Sequence, residues 1–272
     1  MSKADPGIAV SLGSAFLGYY AHSGFLNGLN EQGIFPGKVS GASAGALVAS
    51  LYAAGVQGDE LREFILDRDL KKAFIDPGFL YRWLPMLFFG QPTGLLSGKR
   101  AIKFLEDSLP VSKIEDCSEA ELAIAVSNLR KKICPILQEG PLARAIIASC
   151  SVPVLFGEQE IDGERYFDGG ILHESPLDHY FPNKEVHTII VHRVDYPNPK
   201  KRHFFIHDIF TASHDMFSAE ITGYRKREAE FRGKRLIICN THHHHPGLFQ
   251  SQRKKEGFYE KGAQTGRELE LV

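Results

Sequence analysis

Two periods alternate along the chain. Ile8-Ala9-Val10-Ser11-Leu12 is a continuous apolar run of strand length, closed by Gly13-Ser14. From Gly18 to Gln32 apolar and small residues recur at helical spacing, until Gly33, Pro36 and Gly37 stop them. A short strand at Lys38-Val39-Ser40 then enters Gly41-Ala42-Ser43-Ala44-Gly45, and a small-residue helix follows to about Ala54. Asp59 to Ala73 predicts one amphipathic helix with Asp59 as its N-cap, Ser97 to Leu109 another, and Pro141 to Ser149 a third. Strands are predicted at Glu121 to Ser127, Ile133 to Leu137, Arg165 to Phe167, Val186 to Val194 and, last, Arg235 to Cys239. Buried strands alternating with helices give an α/β class with a largely parallel sheet, the later strand pair being the candidate for antiparallel pairing.

Composition narrows this picture. A chain of 272 residues buries roughly 75% of the surface its unfolded form exposes, enough for one sizeable core without metal or disulfide support. One domain over 1–272 is the expectation. Lys+Arg 32 against Asp+Glu 33 leaves a net charge of -1, which argues against nucleic acid as a partner. Cys117, Cys134, Cys150 and Cys239 lie far apart, with no spacing that reads as a zinc or disulfide framework, and suit a reducing compartment. Met1 to Gly13 lacks the pattern of a secretory signal, and the apolar run inside it is too short to span a bilayer. These features together predict a cytoplasmic protein.

The chemistry concentrates in two short strings. Gly41-Ala42-Ser43-Ala44-Gly45 fits G-x-S-x-G, the nucleophile elbow in which a serine is held exposed on a sharp strand-to-helix turn. A plain small-residue turn reads the same way. An α/β-hydrolase elbow follows a fifth strand, whereas here one strand and one helix precede the short strand, so that family is excluded. The base must then come from elsewhere. Asp168-Gly169-Gly170 follows the strand at 165–167, and a carboxylate at a Gly-Gly turn has room to approach a serine closely. Taken alone, the same three residues read first as an ordinary Asp-Gly turn.

In order, these blocks resemble the patatin-like phospholipase family. Leu12-Gly13-Ser14-Ala15-Phe16-Leu17-Gly18 resembles its glycine-rich oxyanion loop, with the helix at Ala21-His22-Ser23-Gly24-Phe25-Leu26 after it. Gly41 to Leu47 is similar to its elbow. Ala148-Ser149-Cys150-Ser151-Val152-Pro153 with Phe156 leads, at the family's distance, into Asp168-Gly169-Gly170 and Pro176, and Gly257 to Glu268 resembles its closing helix. The resemblance implies a three-layer sandwich with a central, mostly parallel sheet flanked by helices. It also implies a serine lipid acyl hydrolase in which Ser43 and Asp168 act as a dyad through an acyl-enzyme. The oxyanion would be held by backbone N–H groups of Gly13, Ser14, Ala15 and Phe16, joined by Ala44. No cofactor, calcium or other metal is implied. The partner would be a phospholipid, lysophospholipid or acylglycerol, met at a lipid surface by peripheral contact. A catalytically weak lipid-binding protein and a lipid acyltransferase are the alternatives.

Two departures stand out. The family's run of glycines with an arginine is reduced here, so Ser14 and Ala15 must serve without glycine's freedom at positive φ. The loop is closest to the triacylglycerol lipase and adiponutrin branch. Glu174 stands where the family commonly has Asn, which bears on how the Asp168 turn is positioned.

Other features invite competing readings. Phe79 to Phe89 is dense in aromatics and reads evenly as a lipid-facing flap or as core filling. His242-His243-His244-His245 reads as a solvated cluster rather than a metal site, because neighbouring histidines cannot all face one ion. His203, His207 and His214 read as boundary positions of one helix. Lys200-Lys201-Arg202-His203 and Arg225-Lys226-Arg227-Glu228 read as solvated faces.

Overall fold

A computed structural model of the chain describes residues 4–75, 94–171, 173–196, 205–244 and 250–271, with side chains of the long helix described from Met216 onward. The flap candidate Phe79 to Phe89, the basic run Lys200 to His203, and His245 fall outside the described residues. The first strand, β1 (Asp5–Leu12), is buried from Gly7 onward, as a continuous apolar run requires when both faces of a sheet are covered. It is followed by α1 (Tyr19–Glu31), β2 (Pro36–Gly41) and α2 (Ala44–Ala53). Then come α3 (Gly58–Leu66), α4 (Arg68–Phe74), α5 (Lys99–Ser108), β3 (Glu121–Ser127), β4 (Ile136–Leu137) and α6 (Leu142–Ser149). The second half holds β5 (Gln159–Ile161), β6 (Glu164–Asp168), β7 (Thr188–Asp195), α7 (Phe205–Phe231), β8 (Arg235–His242) and α8 (Gln252–Arg267).

The strands form one sheet in the order β5-β6-β3-β2-β1-β7-β8, with β4 paired to β3. β3, β2, β1, β7 and β8 run parallel to their neighbours. Alternation along the strands divides the core: Ile8, Val10 and Ile190 face α1 and α2, whereas Ala9, Ile189 and Val191 face Ala229 of α7. Helices therefore cover both faces, giving a three-layer α/β sandwich. On the first face α1 and α8 pack backbone to backbone. A Cβ on Gly24 would lie 2.0 Å from the Tyr259 carbonyl oxygen, and one on Gly262 would lie 2.0 Å from that of Ala21.

Several expectations are corrected. β7 and β8 pair parallel, in register from Thr188↔Arg235 to Asp195↔His242, because the 27-residue α7 crosses back over the sheet between them. Antiparallel pairing occurs at the other edge, where β5 and β6 are closed by Asp162 (φ 51) and Gly163 (φ 79). Positive φ at both positions is what a tight hairpin turn demands. The helix expected over 59–73 is two helices. Asp67 turns extended (φ -60, ψ 139) and its side chain accepts from the Asp69 N–H at 2.9 Å, starting α4, while the N-cap of α3 is Gln57 and Asp59 lies in the first turn. β8 runs on to His242. Arg225 is not solvated: it is buried and bonds both oxygens of Asp178, at 2.9 and 2.8 Å, tying α7 to the layer beneath. No helix among the described residues is long and apolar enough to cross a membrane.

Candidate active site

The parallel strands β1, β2 and β3 end at one edge of the sheet, and the predicted site residues gather there. β2 stops at Gly41 and α2 starts at Ala44, leaving two residues to reverse direction. Ser43 takes the turn at φ 54, ψ -123, a conformation that L-residues adopt rarely and that surrounding contacts must hold. A Cβ on Gly41 would sit 2.3 Å from the Gly45 carbonyl, and one on Gly45 would sit 2.2 Å from the Leu12 carbonyl oxygen. The two glycines of the motif are there because backbone occupies the space a side chain would need.

Groups outside the motif complete the clamp. The Ser149 hydroxyl accepts the Ser43 N–H at 2.9 Å and donates to the Ala125 carbonyl at 2.7 Å, so α6 and β3 both brace the turn. The Cys150 thiol donates to the Ser43 carbonyl at 3.3 Å. Neither residue carried a role in the sequence, although both lie in the block that resembles the family. Their signal was position, not chemistry.

Asp168 ends β6, opposite Val126 of β3, and the Ser151 carbonyl accepts its N–H at 2.9 Å. The Gly170 N–H donates to Oδ1 at 2.7 Å, and Oδ2 is buried without a hydrogen-bond partner among the described residues. Burial pushes the carboxyl up to about 6, against the opposing pull of the Ser43 hydroxyl and the Gly170 N–H. The structure thus brings Ser43 and Asp168 together with one carboxyl oxygen committed to the turn and the other unspent. Gly169 is packed on the Ala125 carbonyl, 2.2 Å from where its Cβ would be. At Gly170 the missing Cβ leaves room for the Ser14 hydroxyl, 2.1 Å away.

The loop after β1 is placed beside them and divides in two. The N–H groups of Gly13 and Ser14 are used internally, donating to the His192 and Glu174 carbonyls at 2.9 and 2.7 Å. The N–H groups of Ala15 and Ala44 make no hydrogen bond among the described residues. Phe16 gives its carbonyl to the Tyr196 hydroxyl. Ser14 and Ala15 are not at positive φ; Leu17 is, at 56. Loss of the family's glycines at 14 and 15 therefore imposes no backbone strain there. Glu174 serves the loop through its carbonyl, which any residue has, while its side chain accepts from Ser218 at 2.7 Å and reaches Arg193 at 3.8 Å.

The histidine run begins at the end of β8. His242 is 3.6 Å from Asp195, and the His243 ring stacks on Phe258 at 4.1 Å. Among the described residues no group of three or more His, Cys, Asp or Glu is placed to hold a metal ion.

A model of the patatin-like phospholipase family matches residues 10–180, which include the loop, the elbow and the Asp-Gly-Gly turn. The chain belongs to that family. Over 178 residues it is 29% identical to the uncharacterized NTE family protein Rv1063c of Mycobacterium tuberculosis, covering 64% of this chain and 46% of that protein. It is 27% identical over 170 residues to the uncharacterized protein YqhO of Bacillus subtilis, covering 55% and 58%. The match spans about half the length of these relatives. Among solved structures, VipD from Legionella pneumophila superimposes with a TM-score of 0.53 at 14% identity, covering 98% of this chain and 66% of that one, which shows a shared fold.

Proposed function

We propose that this domain is a serine lipid acyl hydrolase in which Ser43 is the nucleophile and Asp168 its general base. The observation that carries the reading is a serine held at φ 54 beside a buried carboxyl whose Oδ2 has no other partner. Ser43 Oγ attacks the ester carbonyl while its proton passes to Asp168. Charge developing on the carbonyl oxygen meets the N–H groups of Ala15 and Ala44 and the N-terminus of α2. Collapse expels the alcohol, which takes the proton back from Asp168. Water deprotonated by the same carboxylate then attacks the acyl-enzyme, and Ser43 Oγ leaves with that proton returned from Asp168, freeing the fatty acid. The scheme draws on no metal or cofactor.

The surroundings favour an acyl chain over a small polar ester. Phe16 in the loop, Val152, Val154 and Leu155 after Ser151, and Ile171 after the Gly-Gly turn are all exposed large hydrophobics. Such a mouth suits a phospholipid, lysophospholipid or acylglycerol presented at a lipid surface, which a single cytoplasmic domain over 1–272 would visit by peripheral contact. The test is hydrolysis of p-nitrophenyl acyl esters together with fluorophosphonate labelling, for wild type and Ser43→Ala. The variant should lose activity by at least about 10³-fold and lose labelling; full activity in a folded variant would sink the assignment. Product analysis with added lysolipid or acylglycerol acceptors separates hydrolysis from acyl transfer, which shares the same acyl-enzyme.

A further inference from the structure

Beneath the loop lies a pair of histidines that the scheme above does not use. His22 of α1 and His192 of β7 are both fully buried, with their Nδ1 atoms 2.8 Å apart. The Phe25 ring stacks on His192 at 4.0 Å and 6°, fixing its plane. His192 Nε2 lies 2.9 Å from the Thr241 hydroxyl, which lies 2.8 Å from the Thr265 hydroxyl, and Thr265 donates to the Lys261 carbonyl at 3.0 Å. Both residues also touch the loop through their backbones. The His192 carbonyl accepts the Gly13 N–H, and the His22 N–H donates to the Gly18 carbonyl at 3.0 Å.

Both rings are neutral, because burial pulls each below the ordinary imidazole range. Two ring nitrogens 2.8 Å apart need one proton between them, so one of the two Nδ1 atoms carries it and the other is bare. His22 Nε2, on the far side of its ring, faces the loop: a Cβ on Gly18 would be 3.4 Å away, and the Gly13 carbonyl pulls the ring's pKa up against the larger effect of burial.

We propose that His22 and His192 are positioning residues for the oxyanion loop, an imidazole pair joined by one hydrogen bond between their Nδ1 atoms. That contact holds α1 against β7, and so sets where the loop leading from β1 into α1 presents its N–H groups. Gly13 and Ser14 are clamped by carbonyls from His192 and Glu174. The imidazole pair fixes the other end, where the loop enters α1 at Gly18. A loop held at both ends keeps the Ala15 N–H in place through the reaction. Displacing such a group by even about 1 Å costs on the order of 100-fold in rate. The kinetic part of this inference rests on the acyl hydrolase reading; the hydrogen bond between the rings does not.

Three measurements test it. Nitrogen-15 NMR of the histidine side chains should show one of the two Nδ1 atoms protonated and the other bare; two protonated or two bare Nδ1 atoms overturn the proposal, whatever the protein's activity. His22→Leu fills the space without the hydrogen bond, and should lower kcat on p-nitrophenyl esters by about 10- to 100-fold while leaving KM within about two-fold. His22→Asn, whose amide reaches the same position as Nδ1, should recover most of that loss. Equal kcat in wild type and His22→Leu overturns the proposal, as does an equal loss in His22→Leu and His22→Asn. Should wild type hydrolyse no ester, the hydrolase reading fails, and amide exchange decides the loop: Ala15 and Phe16 must exchange faster in His22→Leu than in His22→Asn.

Discussion

The two edges of the sheet treat buried charge in opposite ways. At the edge where β2 begins, Lys38 is 2% exposed, and its Nζ lies 2.6 Å from Glu121 and 2.9 Å from Glu185. Register alone sets this up, because Lys38 and Glu121 are Cα partners across β2 and β3. Burial pulls the ammonium pKa down, and the hydrogen bonds it donates to the two carboxylates more than offset it, leaving the group above its ordinary value. At the edge where β2 ends, Asp168 has one oxygen satisfied and one bare, and burial holds it above its ordinary value. The ionised form is favoured at Lys38 and disfavoured at Asp168. A charge that only supports the fold is neutralised by its neighbours, whereas one poised to take a proton is left short of them.

The sharpest way to break the comparison is to remove each charge. Asp168→Asn should lower kcat by about 10³-fold, the scale of a lost general base. Its stability should move the other way. The carboxyl rises from 3.8 to about 6 on folding, so the native state holds the extra proton between those values, and stability falls as pH rises through that window. Above it the ionised group costs about 3 kcal/mol, taken as roughly two units at 1.36 kcal/mol each. Asp168→Asn should therefore melt at or above the wild-type temperature at pH 8. A variant that loses both activity and stability would show Asp168 to be a fold residue.

At the other edge the signs reverse. Glu121→Gln with Glu185→Gln leaves Lys38 buried and unpaired, and should cost about 3 kcal/mol in urea unfolding. Turnover per folded molecule should stay within about two-fold. Lys38→Met should cost much less than the double variant, because it removes the buried charge and lets both carboxylates return to water. A larger loss in Lys38→Met would mean that the lysine's own hydrogen bonds carry the edge.

This contrast explains what could be read from the chain in advance. Ser43 and Asp168 were legible because their motifs encode backbone needs: glycines at 41 and 45 where backbone fills the space of a Cβ, and at 169 where it meets the Ala125 carbonyl. The run 121–127 was legible because a strand covered on both faces is apolar throughout. Lys38 was not, since a lysine in a short strand looks the same whether two carboxylates from β3 and the loop before β7 converge on it or water does. His22 and His192 stand 170 residues apart, and no local pattern announces that their rings meet. The parallel pairing of β7 and β8 was equally hidden, because the direction of a returning strand is decided by the helix between and not by the strand's own residues. The positive φ at Leu17 was hidden too, because nothing in a leucine's side chain marks it as the residue that takes the conformation the absent glycines would have allowed.

The pH dependence sharpens the comparison at the site itself. In the proposed scheme Asp168 must be ionised to accept the Ser43 proton, so kcat should rise with pH through about 6 and level off above it. One unit below that point about a tenth of the carboxyls are ionised, and turnover at pH 5 should be about ten-fold below its plateau. Stability should decline over the same range. A plateau already reached at pH 4.5 would place the base elsewhere.

The smallest effect separates the mouth of the site from its chemistry. Val154 is 63% exposed and sits at φ 74, where a β-branched side chain is strained. Its carbonyl accepts the Leu95 N–H at 3.2 Å, which any residue would do equally well. An exposed valine in such a backbone gains nothing from burial, so its side chain is there for what approaches from outside. Val154→Asn suits positive φ better, and should leave thermal stability unchanged or raise it by about 0.5 kcal/mol. It should slow hydrolysis of long-chain esters in micelles a few-fold and leave short, soluble esters untouched, because the change lies at the entrance and not at Ser43. Equal losses on both substrates would mean that Val154 shapes the Asp168 turn through Ser151, and that mouth and dyad are one unit.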